Sequence, residues 1–155
     1  MTDAIAYLAT AKKLLRGRPT DADIRRAVST AYYAMFHHAC MHFSTIVLQP
    51  ESGSYVRAWL QAYRYIDHGP AKQRCLEAVK VDRKFPAGVV AFAERFIELQ
   101  QRRIEADYDP ARSFTAADAQ SLIKSAEDAI SALDAEPIEA QRAFVLFVGL
   151  RPKNR

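Results

Sequence analysis

Apolar positions recur at three- and four-residue steps along nearly the whole chain, the spacing that gathers them on one face of an α-helix. Ala4, Leu8, Ala11 and Leu15 form the first stripe, and Gly17 and Pro19 predict its end. Thr20-Asp21-Ala22-Asp23 reads as a capping box, in which the threonine hydroxyl accepts from the Asp23 amide and Asp23 reaches back. It opens a long second helix, through about Ser44, with Ile24, Val28, Ala31 and Met35 on one side. Pro50-Glu51-Ser52-Gly53 breaks the pattern. A shorter helix over 55–66 carries the one tryptophan, Trp59; His68-Gly69-Pro70 punctuates its end, and 71–79 continues helically. Pro86, a favourable first-turn residue, starts a fourth long helix with the stripe Val89, Phe92, Ala93, Phe96 and Leu99 or Gln100. Thr115-Ala116-Ala117-Asp118 is a second capping box, followed by Leu122, Ala126, Ala129 and Leu133 on one side.

Pro137 begins the last segment, which runs into eight apolar residues over 143–150. Their aromatic and β-branched content suits a strand, whereas Glu139-Ala140-Gln141-Arg142 favours a helix, and a helix is expected. Such a run must be buried at home or against a partner subunit. No internal repeat, low-complexity tract or linker interrupts the 155 residues, which suffice for one domain with a sizeable core.

Composition narrows the class. Half the residues are apolar and 26% charged, ordinary for a globular protein in water. No apolar run approaches the roughly 18–20 residues that span a bilayer, so no membrane is expected. Met1-Thr2-Asp3-Ala4-Ile5 has neither the basic start nor the apolar core of a secretory signal. Cys40 and Cys75 lack CxxC spacing, which argues against a disulfide framework and for the reducing cytoplasm. A net charge of +4 mildly favours phosphate-bearing partners. Basic residues cluster at 12–18, Arg25-Arg26, 80–84, Arg102-Arg103 and the tail Arg151-Pro152-Lys153-Asn154-Arg155.

Two stretches hold candidate chemistry. On the second helix Arg26, Thr30, Tyr33 and His37 share a face. Arg26 can hold phosphate, Tyr33 can stack or donate a hydrogen bond, and His37 can titrate near neutrality. The same spacing also serves a half-buried polar face packed on another helix. His38 and His42 have metal-ligand spacing, but the HExxH glutamate and an evident third ligand are missing, so no metal is expected. Phosphate and dinucleotide loops are also missing, and no cofactor is expected. Cys40, within an apolar-rich helix, reads as a small core residue.

The second stretch is Gln101-Arg102-Arg103-Ile104-Glu105-Ala106-Asp107-Tyr108-Asp109-Pro110. Arg103 follows Phe96 by seven residues and therefore projects with the apolar stripe, which implies an internal ion pair or a cleft. Asp107, four residues on, is its natural partner. A structural network joining the second and fourth helices competes with a catalytic role.

Arg26-Ala27-Val28-Ser29-Thr30-Ala31-Tyr32-Tyr33-Ala34-Met35-Phe36-His37-His38-Ala39, followed by Arg103-Ile104-Glu105-Ala106-Asp107-Tyr108-Asp109, resembles the HEPN family. The resemblance implies an all-α antiparallel bundle of four to five main helices plus short extra ones. It assigns 1–135 to the HEPN-like domain and leaves 136–155 as an apolar segment and basic tail, packed on the domain or a partner subunit. It further implies a homodimer and, for many members, a toxin–antitoxin module with a nucleotidyltransferase-type antitoxin. Many members are metal-independent ribonucleases whose motif is an arginine followed four to six residues later by histidine. In this chain no histidine stands at those distances from Arg102 or Arg103. An aspartate of ordinary pKa does not protonate a leaving 5′-oxygen at neutral pH as imidazolium does. The expectation is a nucleotide- or RNA-binding or regulatory domain, with Arg26, Tyr33, Arg102, Asp107 and Tyr108 as contacts. The alternatives are a ribonuclease in which Arg103 stabilises the phosphorane and His37 moves protons, and a non-catalytic oligomerising domain.

Overall fold

A computed structural model describes residues 3–48, 55–80 and 84–150. The expected break at Pro50-Glu51-Ser52-Gly53 and the basic tail 151–155 lie outside the described residues. The described chain forms seven α-helices and no strand: α1 Ala4–Leu14, α2 Asp21–Val47, α3 Val56–Tyr63, α4 His68–Ala78, α5 Ala87–Tyr108, α6 Ala116–Asp134 and α7 Ile138–Gly149. Both capping boxes form. Asp23 N donates to Thr20 Oγ1 at 3.2 Å and Thr20 N to Asp23 Oδ2 at 2.8 Å; the Thr115–Asp118 pair repeats this at 3.1 and 2.8 Å. Each satisfies amides that a helix start leaves without an internal partner.

α2 is the central helix, packed by α1, α3, α5, α6 and α7. Its length follows from its neighbours: Val28, Ala31, Tyr32, Met35, Ala39 and Cys40 are buried, covering far more than one narrow stripe. α5 lies between α2, α4 and α6, and its Phe92, Phe96 and Leu99 are buried at the centre, with Phe96 against Tyr32. The apolar run near the end is helical, with Phe144, Val145 and Val148 buried in the core, and α7 packs on α2, α4 and α5. Gly149 is needed there, because a Cβ would sit 2.4 Å from Phe43 Cε2.

One boundary differs from the sequence expectation. His68-Gly69-Pro70 does not close α3 but forms the first turn of α4. Amides of a first turn have no intrahelical acceptor, so Pro70 forfeits no hydrogen bond there. The Asp67 carbonyl accepts from Ala71 N at 3.0 Å, completing that turn. This start carries His68 to the α2–α5 junction, where Gln100 Nε2 donates to the His68 carbonyl at 2.8 Å. No helix among the described residues is long and apolar enough to cross a membrane.

Candidate functional site

Where α5 ends beside α2, Arg103 turns inward as its place after Phe96 requires, with only 17% of its side chain exposed. Its Nη2 donates to the Tyr33 hydroxyl at 2.9 Å, and its Nε lies 3.1 Å from Asp107 Oδ2. The Nε contact is an ion pair by distance, but the N–H is not aimed at the carboxylate, so this buried donor makes no directed hydrogen bond. The other Asp107 oxygen accepts from the Ser29 hydroxyl on α2. The guanidinium carbon lies 5.6 Å from the centre of the Tyr33 ring and 5.7 Å from that of Tyr108, within cation–π range of both. Tyr108 is 71% exposed, so a large apolar face stands in water directly beside a desolvated cation.

Behind Tyr33 the polar cluster continues through rings. His37 stacks on Tyr7 at 4.6 Å between centroids, and its Nδ1 lies 2.5 Å from the Tyr63 hydroxyl. His68 stacks on Phe36 at 3.9 Å, meets the Tyr33 ring edge-on, and has Nδ1 2.7 Å from the Tyr32 hydroxyl. Burial holds His68 below its ordinary pKa, and the positive charge of Arg103 and the neighbouring His37 ring push it further down. Burial alone lowers His37. Both imidazoles are therefore neutral at pH 7, each with one N–H and one lone pair. Burial also pushes the Tyr63 hydroxyl up to about 12, so it stays protonated.

The structure thus brings together Arg103, Asp107, Tyr108, Tyr33 and, one ring further back, His37. It does not bring in Arg26 or Arg102. Arg26 is exposed, and no hydrogen bond or ion pair joins its side chain to this group among the described residues. Arg102 turns the other way, paired with Glu105 at 3.1 Å beside a depression of about 180 Å³ that Arg112 and Asp118 also line.

Three participants escaped the sequence reading. Arg25, not its neighbour Arg26, reaches the end of α5, donating to the carbonyls of Ala106 at 3.1 Å, Asp109 at 3.0 Å and Arg112. The Ala106 carbonyl is one left over where α5 stops, and a cation there also suits the helix dipole. Ser29 follows it by four residues, and Asp21 precedes it by four with an ion pair at 2.7 Å. The spacing Asp21, Arg25, Ser29 was a readable signal for a face one residue away from the one that starts at Arg26. His68 gives no signal in the sequence, because the Gly69-Pro70 that follows it marks a break as readily as a helix start.

Beside the α5 terminus a depression of about 520 Å³ is lined by Asp21, Arg25 and residues 106–110. Its three aspartates make it a poor seat for a polyanion, which leaves the Arg103–Tyr108 edge as the anion-compatible part. A ligand there can stack on Tyr108 and take charge stabilisation from Arg103, with neutral imidazoles behind as proton acceptors. Comparison with curated proteins and with solved structures finds no match. The HEPN domain family model matches residues 1–136, helices α1 to α6 with this cluster inside them, and the chain belongs to the HEPN family.

Proposed function

We propose that this protein binds a nucleotide or single-stranded RNA at the edge formed by Arg103 and Tyr108, with Tyr33 and Asp107 holding the arginine in place. Family membership ties the chain to a nucleotide- or RNA-related or regulatory role in general terms. The finer reading is carried by one observation: a largely buried guanidinium lies against a tyrosine ring that is 71% exposed. A base stacks on such a ring, and its phosphate finds a cation whose orientation is fixed beforehand. The protein acts as a homodimer in the cytoplasm, within a toxin–antitoxin module whose partner is a nucleotidyltransferase-type antitoxin. Fluorescence anisotropy with labelled oligoribonucleotides tests the contact: Arg103→Ala and Tyr108→Ala each weaken binding about tenfold or more. Equal affinity of both variants and the wild type removes the site.

A second reading, metal-independent RNA cleavage, is favoured by the presence of two neutral imidazoles in the same cluster as Arg103. His37 was the expected proton carrier, but its ring is held between Tyr7 and Tyr63. His68 is held likewise, stacked on Phe36 with Nδ1 at the Tyr32 hydroxyl, and is the imidazole nearer Arg103, with Nε2 left to accept a proton from a ribose hydroxyl. Incubation with RNA in EDTA decides: cleavage lost in Arg103→Ala and in His68→Gln supports it, and an inert wild type ends it.

A further inference from the structure

A second polar group lies around α2 from that cluster. His38 is one residue beyond His37, a turn of about 100° about the helix axis, and its Nε2 lies 2.8 Å from Asp134 Oδ1 at the end of α6. His42, one helical turn further on, aims its Nε2 at the same carboxylate oxygen from 3.5 Å, too far for a hydrogen bond. The two imidazole centroids are 4.3 Å apart. One potential ligand atom from each of the three residues falls within 4.8 Å of the others. An interhelical charge pair accounts for His38 alone. It gives no reason for a second, partly buried imidazole to converge on an acceptor already in use.

We propose that His38, His42 and Asp134 bind a zinc ion. Zinc takes imidazole nitrogen and carboxylate oxygen at about 2.0–2.1 Å, which places tetrahedral ligand atoms about 3.3 Å apart. The two separations from Asp134, 2.8 and 3.5 Å, bracket that value. Two nitrogens and one oxygen suit zinc better than the hard cations calcium and magnesium. The fourth position opens on a cavity of about 410 Å³, lined also by Leu8, Met41 and Ile130, where water completes the sphere. The His38 and His42 side chains are 13% and 26% exposed, so the metal is reached from solvent yet shielded on its inner side. Binding replaces the His38–Asp134 hydrogen bond and fastens the last residue of α6 to the C-terminal half of α2. The third ligand lies 96 residues beyond His38, which is why spacing along the chain does not reveal it. The site is separate from Arg103, and the proposal stands whether or not RNA binds there.

The test is calorimetric titration of EDTA-stripped, dialysed full-length protein with zinc sulfate. Wild type takes up one zinc per chain with a rise in Tm, and Asp134→Asn and His42→Gln each weaken uptake at least about tenfold. Circular dichroism of the variants confirms that they are folded. Failure of the wild type to saturate below about 100 μM zinc overturns the proposal, as does undiminished uptake by both variants. Should the variants not fold, cobalt(II) decides on the wild type alone. Intense visible bands of a low-coordinate site support the assignment, and the weak spectrum of the octahedral aquo ion overturns it.

Discussion

A cation that is mostly withdrawn from water must be answered locally, and Arg103 has two answers, the Tyr33 hydroxyl and the Asp107 carboxylate. Removing Asp107 leaves the guanidinium with the tyrosine alone and strands the Ser29 hydroxyl, which is fully buried. Asp107→Ala is therefore expected to cost about 1–3 kcal/mol in urea unfolding, the range for leaving buried polar groups unpaired. The double variant Ser29→Ala/Asp107→Ala costs less than the sum of the two single ones, because the stranded hydroxyl is gone. Sequence spacing disclosed the Arg103–Asp107 pair because both lie on one helix; Ser29 and Tyr33 come from α2 and needed the tertiary packing. The histidines add a pH dependence whose sign is fixed. His37 and His68 are held below their ordinary 6.5 when folded, so the unfolded chain binds protons first. Their contribution is complete above that value and drains away as pH falls through it towards the lower folded values. Urea midpoints at pH about 7.5 and about 5.5 are expected to differ in that direction, and His68→Gln narrows the gap; an unchanged gap shows that His68 does not contribute.

Helix periodicity and end signals carry different amounts of information, and the elements sort accordingly. α2 and α6 were legible at their starts because a threonine followed three residues later by an aspartate acts within one turn and needs nothing from the rest of the chain. The inward face of α5 was legible because Val89, Phe92 and Phe96 recur at helical spacing. The start of α4 is not legible, because Gly69 and Pro70 suit a turn and a first helical turn alike, and α4 takes the second where it packs on α5. The helix-to-helix fit was not legible at all. At Gly88 a Cβ would stand 2.3 Å from the Ala132 carbonyl oxygen on α6, and the Gly88 amide donates to Glu136 Oε1 at 2.7 Å. Gly88→Ala must push α5 off α6, at about 1–3 kcal/mol, or about 2–4 °C in Tm for each kcal/mol in a chain of this size. Gly69 is helical with nothing beyond its chain neighbours within 4 Å of a Cβ, but Pro70 Cδ crowds a preceding helical Cβ and offsets the gain in helix propensity, so Gly69→Ala is expected to stay within about 1 kcal/mol of neutral. A calorimetric scan of both variants checks the contrast, and equal shifts refute the packing argument.

For the molecule as a whole, a net charge of +4 is a weak field for a polyanion, and the basic residues do not pool around Arg103. The more basic concavity lies between α1 and α6, about 420 Å³ in volume, with Lys12, Arg16 and Lys124. Two of its three cations are already engaged, Lys12 with Glu127 and Lys124 with Asp128. On the proposed reading, RNA affinity at the Arg103–Tyr108 edge comes from stacking and one or two phosphate contacts, not from long-range attraction. Each phosphate contact to a single strand contributes a slope of about −0.7 in log K against log salt. The expected slope is therefore shallow, about −0.7 to −1.4, and Arg103→Ala flattens it by about 0.7 while Tyr108→Ala weakens binding without changing it. A slope near about −4 that Arg103→Ala leaves unaltered requires a broad cationic surface. In that event the α1–α6 concavity is the place to mutate, beginning with Arg16→Ala.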